Sequence, residues 1–354
     1  MRFFNLNIRS GLIGAVLSLI PAVAGLTSCG MIYDDLEPCP EGVNLRFIYD
    51  YNMEFANAFP AKVHCLTVFV YDEAGKYVTT RTETSRDLLS DEGYRMNIDL
   101  PAGKYQVVAY GGMQCEDASF HFIDTPATGS TINDLSVALN KDIMDNTSIG
   151  ALHNLHPLFY GRKIDIEVMK DTPGYESYTV PMMKDTNNLR IVLQELNYED
   201  VDPNDFDFRI IDDNTLMGWN NDVIPTGTDY TYIPWVTGQV SPGTRPDGSE
   251  MKNAFAELSF GRLIYKDNPI TNPANPLLLI TRRSDGSEVV KLPLNQLLLM
   301  FKSENYASMP AQEFLDRKSE WDMLFILDKH WKWYEIVIQV NNWIVRINRA
   351  DLGM

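Results

Sequence analysis

The chain has 354 residues, a formal charge of −18 and 45% apolar residues. Acid in such excess repels nucleic acid and anionic lipid headgroups, so neither is an expected partner. The apolar fraction is that of a globular core and excludes a disordered chain.

The N-terminus reads as a lipoprotein signal. Arg2 and Arg9 supply the positive region, and Gly11 to Gly25 an apolar run too short and too rich in Gly and Ala for a membrane-spanning helix. Leu26, Thr27 and Ser28 then form a lipobox before Cys29, with Gly30 after it. Residues 1–28 are expected to be removed and the Cys29 thiol to carry diacylglycerol. Two or three acyl chains, each buried CH₂ contributing about 0.8 kcal/mol, suffice for stable anchoring where one does not. Residues 29–40 read as a lipidated tether.

From there the pattern is β. Val43–Tyr51 alternates, and Val63–Tyr71 is apolar on both faces, as a central strand should be. Asp72 to Gly75 turns into Lys76–Thr84, and Pro101 to Gly103 separates Tyr94–Leu100 from Lys104–Gly111. Ser130–Leu139 and Gly161–Val168 complete about seven strands, a sandwich over 41–172 with Greek-key style connections. The turn Asp171-Thr172-Pro173-Gly174 marks the expected boundary.

A second sandwich is expected over 173–348. Its strands are Asn188–Leu196, Asp205–Ile211, Tyr230–Val236, Ala254–Phe260, a hairpin of Leu277–Arg283 and Glu288–Leu292 around Ser284 to Ser287, and Asp322–Leu327. Leu294–Ser303 and Ala311–Glu320 read as short helices parted by Pro310. Trp333–Arg346 reads as one long last strand, bulged at Asn341-Asn342. The fold class is therefore all-β, two tandem sandwiches with short helices in the second.

Catalytic signals are scarce. There is no Gly-x-Ser-x-Gly, no His-Glu-x-x-His and no phosphate-cradling loop. Pro157 follows His153-x-x-His156 at once, with no carboxylate at useful spacing. The acids Glu199, Asp200, Asp202, Asp205 and Asp207 lack the Gly and Glu positions of a calcium loop. Neither metal nor cofactor is expected, and Asn146-Thr147-Ser148 carries little weight as a glycosylation acceptor. With Cys29 acylated, Cys39, Cys65 and Cys115 remain. Antiparallel pairing of the strands beside them would join Cys65 to Cys115 and leave Cys39 free; three buried thiols is the alternative.

Several motifs together resemble a known family. Cys39-Pro40-Glu41-Gly42, Phe47–Asn52, Ala58-Phe59, Val68–Asp72, Gly75 and Tyr77 are similar to the first domain of the FimB/Mfa2 fimbrial anchor family of Bacteroidales. Leu100–Tyr105, Ala109–Gly112, Leu158–Gly161 and Trp343 with Val345-Arg346 continue the match over most of 29–348. The resemblance implies transthyretin-like sandwiches in a lipid-anchored, non-enzymatic subunit at the base of a type V pilus. It implies attachment to the outer membrane, surface exposure, a shaft pilin as partner, control of shaft length, and contact by strand addition, with Trp333–Arg346 one candidate edge. The competing reading is a carbohydrate-binding surface lipoprotein using exposed aromatics; it requires Trp219, Trp235 and Tyr232 to gather on one solvent-facing platform.

Overall fold

A computed structural model describes residues 40–140, 144–145, 148–150, 154–170, 174–267, 275–340 and 343–348. Cys29, the lipobox residues Leu26, Thr27 and Ser28, Cys39, His153, Asn146-Thr147, Asp171 to Pro173 and Asn341-Asn342 lie outside them. The strands are β1 (Glu41–Ile48), β2 (Leu66–Asp72), β3 (Tyr77–Glu83), β4 (Met96–Asp99), β5 (Gly103–Gly111), β6 (Phe120–Phe122), β7 (Ser136–Leu139), β8 (Met144–Asp145), β9 (Ser148–Gly150), β10 (Phe159–Val168) and β11 (Gly174–Lys184). There follow β12 (Asn187–Glu195), β13 (Phe206–Asp212), β14 (Leu216–Gly218), β15 (Tyr230–Ile233), β16 (Val236–Val240), β17 (Asn253–Phe260), β18 (Leu277–Arg282), β19 (Glu288–Pro293), β20 (Glu320–Leu327), β21 (Trp333–Val340) and β22 (Trp343–Asn348). The helices are short: α1 (Phe59–Lys62), α2 (Arg86–Leu89), α3 (Leu294–Leu299) and α4 (Ala311–Arg317). The fold is all-β, two tandem transthyretin-like sandwiches, with short helices in the second as expected and two more in the first.

The first sandwich is one seven-stranded sheet, ordered β3-β2-β5-β10-β11-β1-β4. It encloses its own core, in which Val43, Leu45 and Phe47 of β1 meet Val68 and Val70 of β2 and Val107 of β5. Strand β2 is buried on both faces, because Phe69 and Tyr71 point the other way into a second, larger core. That larger core lies between the six-stranded sheets β16-β17-β12-β20-β21-β22 and β19-β18-β13-β15-β9-β8. Alternation along β12 is strict: Leu189, Ile191 and Leu193 are buried, while Arg190, Val192 and Gln194 face outward half-buried.

Strand pairing moves three expected features. The boundary at 172/173 falls between β10 and β11, neighbours in one sheet; β11 also pairs in parallel with β1 from Glu41↔Gly174 to Ile48↔Pro181. The chain leaves this sheet only after Lys184. The expected strand Tyr230–Val236 is broken at Pro234, whose missing N–H cannot continue a ladder, and its two parts enter different sheets. The expected single strand Trp333–Arg346 is two antiparallel strands, β21 and β22, registered from Glu335↔Asn348 to Val340↔Trp343.

The halves also exchange strands. The first lends β9, which pairs in parallel with β15; the second lends β14, which pairs with β7 in a small third sheet. The described residues accordingly belong to one compact unit, Pro40–Met354. At the junction Asp185 is fully buried and its Oδ1 accepts from Asn221 Nδ2 at 2.9 Å. Arg262 Nε stands 3.9 Å away, its guanidinium forked onto Asp316 at 3.0 and 2.9 Å. Burial pushes the Asp185 carboxyl up to about 7, against the lowering pull of Arg262. A second clasp joins the loop after β1 to α4: the Arg317 guanidinium lies 4.0 Å over the Tyr51 ring and 4.7 Å over Phe55.

Candidate functional site

A sheet edge offers unpaired N–H and C=O groups to any extended chain, and folded proteins usually blunt such edges. Most edges here are blunted. Strand β3 carries Thr, Arg81 and Glu83, and the Tyr77 N–H is already donated to Ser130 O. Strands β4, β6, β8 and β14 have four residues or fewer. On β16, Gly238 presents no side chain and Gln239 Nε2 reaches across to Val201 O at 2.9 Å. Strand β19 carries Glu288 and Lys291, ends in Pro293, and has its Glu288 carbonyl capped by Lys332 Nζ.

Strand β22 carries one charge and none of the other devices. It is the outermost strand of its sheet, six residues long, Trp343-Ile344-Val345-Arg346-Ile347-Asn348, without Pro or Gly. Its single charge, Arg346, is bound to Glu335 of β21 at 2.6 Å (Nη1 to Oε2). The two faces differ. Ile347 is buried beside Ile336, and Val345 packs half-buried against the core opposite Ile338. Ile344, Arg346 and Asn348 face water, with Ile344 67% exposed. The large core thus runs to the outer edge of the sheet, and no described strand lies beyond it. Sequence reading took this strand as the end of a longer one. The pair Asn341-Asn342, expected there as a bulge, is in sequence also two turn-forming residues between alternating runs, a hairpin signal.

The other predicted residues fall elsewhere. Cys65, just before β2, is disulfide-bonded to Cys115 in the loop after β5, with Cα atoms 5.7 Å apart. Asp200 pairs with Arg245, Asp202 accepts from the Asn204 N–H, and Asp207 holds Arg283 at 2.8 Å, so these acids serve the fold locally. The aromatics do not gather. Tyr232 is fully buried and donates to Asn214 Oδ1 at 2.6 Å. Trp219 packs against the core and donates to Asn133 Oδ1 at 3.1 Å. Of the three, Trp235 lines an open cleft of about 260 Å³ with Asn154, Arg190, Glu257 and Asp322, where the other tryptophan, Trp321, is buried.

Known proteins bear on these features. A candidate adhesin from Bacteroides thetaiotaomicron VPI-5482, solved as a crystal structure, is 46% identical, with a TM-score of 0.78 over 89% of this chain and 100% of that one. The minor fimbrium anchoring subunit Mfa2 of Porphyromonas gingivalis is 22% identical over 233 residues, 64% of this chain and 68% of that protein. The solved structure of the fimbrial anchor protein Mfa2 from Porphyromonas gingivalis, at 16% identity, shares the fold with a TM-score of 0.62 over 87% of this chain and 99% of that one. The family model of fimbrillin-A associated anchor proteins Mfa1 and Mfa2 matches residues 36–349, which takes in every strand from β1 to β22. This chain, with β22 as the outermost described strand of its sheet, belongs to that fimbrial anchor family.

Proposed function

We propose that this protein is a lipid-anchored fimbrial subunit: acyl chains on Cys29 hold it on the outer surface of the outer membrane, and an extended strand of a shaft pilin adds to β22. In doing so it attaches the shaft and limits its length. Its two modules meet at Asp185-Thr186, where the chain passes from the first sheet to the second. Membership of a fimbrial anchor family supports the role, and the observation that carries the contact is β22, an apolar edge where the other edges are protected. Each main-chain hydrogen bond gained by an added strand contributes about 0.5–1.5 kcal/mol, and side chains beside Val345 and Ile347 would extend the core. The buried Tyr232 and the separated tryptophans weigh against a sugar platform.

Two variants in the native host test this. Ile344→Lys places on the edge the residue that proteins use to repel strand addition; fimbriae should be shed or altered in length while the protein stays folded and membrane-bound. Cys29→Ala should move the folded protein out of the membrane fraction. Normal fimbriae in the first variant, or membrane retention in the second, would refute the corresponding half.

A further inference from the structure

We infer that the β22 edge selects one side-chain phase and one charge in its partner: an extended segment of another polypeptide, apolar where it lies beside Val345 and Ile347 and acidic beside Arg346. This rests on the strand-addition reading above and specifies what the edge recognises. Side chains alternate along a strand, so residues of an added strand beside Val345 and Ile347 fall on the core side. There Ile336, Ile338 and Ile347 are already dry and Val345 is only half covered, so an apolar pair would finish the covering. The residue between them falls on the solvent side, next to Arg346. That guanidinium uses Nη1 on Glu335 and keeps donors for a second carboxylate. The next solvent-side position lies beside Ile344, whose exposure favours an apolar neighbour. Opposite β22 from Ile347 back to Ile344, the partner therefore reads apolar, acidic, apolar, apolar. A slip by one residue would turn the apolar pair into water and set an acid against the core.

Charge argues that the occupant is a different protein. Two copies of this chain, each at −18, repel. In a symmetric antiparallel pairing of two β22 strands, Arg346 would meet its own copy, an apolar residue or Asn348, and never an acid.

The test uses the mature full-length protein and three synthetic extended peptides: one in the stated phase, one with the same residues shifted by one position, and one with Lys in place of the acid. Binding is read by titration, and amide exchange of residues 343–348 locates it. The in-phase peptide should protect these amides. The shifted one should bind at least about tenfold more weakly, since moving one apolar side chain into water costs that much. The Lys peptide should bind about two- to fivefold more weakly, the range of a cross-strand charge pair, and Arg346→Gln should abolish that preference while leaving the phase preference intact. Equal binding of the first two peptides, with β22 protected, would overturn the selectivity and leave strand addition standing. No protection by any peptide would overturn strand addition at this edge. Self-association of the chain through β22, read as a concentration-dependent dimer, would replace the partner with a second copy.

Discussion

The first and last described strands, β1 and β22, are built alike and used oppositely. Both alternate, and both bury every second side chain: Val43, Leu45 and Phe47 on β1, Ile347 with half-covered Val345 on β22. What differs is company. Strand β1 pairs along its whole length with β11 on one side and with β4 on the other, where Gly42 lies so close to the Ile98 carbonyl that no Cβ would fit. Strand β22 has β21 on one side and, among the described residues, no strand on the other. Position in the sheet, more than sequence, separates a strand that is held from one that can be extended. If the tether carries the protein on the membrane, tension enters at β1, where it would have to shear two ladders at once, while the open edge sits at the other end of the chain.

The largest effects should come from the held strand. Phe47→Ala removes a buried ring that stacks on Phe59 at 5.6 Å, and should cost about 3–5 kcal/mol in denaturant unfolding. A loss below about 1 kcal/mol would mean that β1 is not part of the cooperative core. Native-state hydrogen exchange should rank the same way, with β1 amides opening near the global free energy and β22 amides far below it.

The held side has one weak point, which pH should expose. Asp185 follows β11, the parallel partner of β1, and burial raises its carboxyl from 3.8 to about 7. The unfolded chain releases this proton near 4 and the folded chain near 7. Stability therefore falls as pH rises through that window and is level above it, by at most about 4 kcal/mol at about 1.4 kcal/mol per unit. Asp212, also raised to about 7 by burial, adds its own share in the same window. Asp185→Asn keeps an acceptor for Asn221 and carries no charge, so its Tm should fall less than the parent's between pH 4 and pH 8. Parallel curves would show that Asp185 is ionised throughout.

The disulfide reinforces the same sheet. It closes a loop of 50 residues between the start of β2 and the end of β5, and β22 has no such staple. Replacing both Cys65 and Cys115 with Ser should cost about 2–4 kcal/mol and leave exchange at β22 unchanged. Faster exchange at β22 in that variant would join two regions that the comparison keeps apart.

How far this contrast could be read from sequence depends on what fixed each strand. Strands with their own apolar pattern, such as β2, β12 and the β18–β19 hairpin, were legible, because burial on one or both faces writes itself into residue type. Strands made by neighbours were not. Three residues such as Leu216–Gly218 form β14 only because β7 lies beside them, and Gly174–Lys184, with Pro181 and few aliphatic residues, becomes a strand by lying between β10 and β1. The candidate site fell between these cases. Its residues stood in an expected strand, but that β22 is an edge depends on its antiparallel pairing with β21, and edge status is a property of the sheet.

The smallest stability effect belongs to β22, and it is the most discriminating. Ile344 is 67% exposed, so Ile344→Lys removes little buried surface and should change unfolding stability by less than about 0.5 kcal/mol. Val345→Lys, at the neighbouring position, would place an ammonium against a core containing Ile336 and Ile338 and should cost several times more. The ratio between adjacent positions measures how sharply the core ends at this edge. Near-equal costs would mean that Ile344 is covered in solution and the edge already occupied; a small cost at both would mean that the core stops at β21 and an added strand would find nothing to complete.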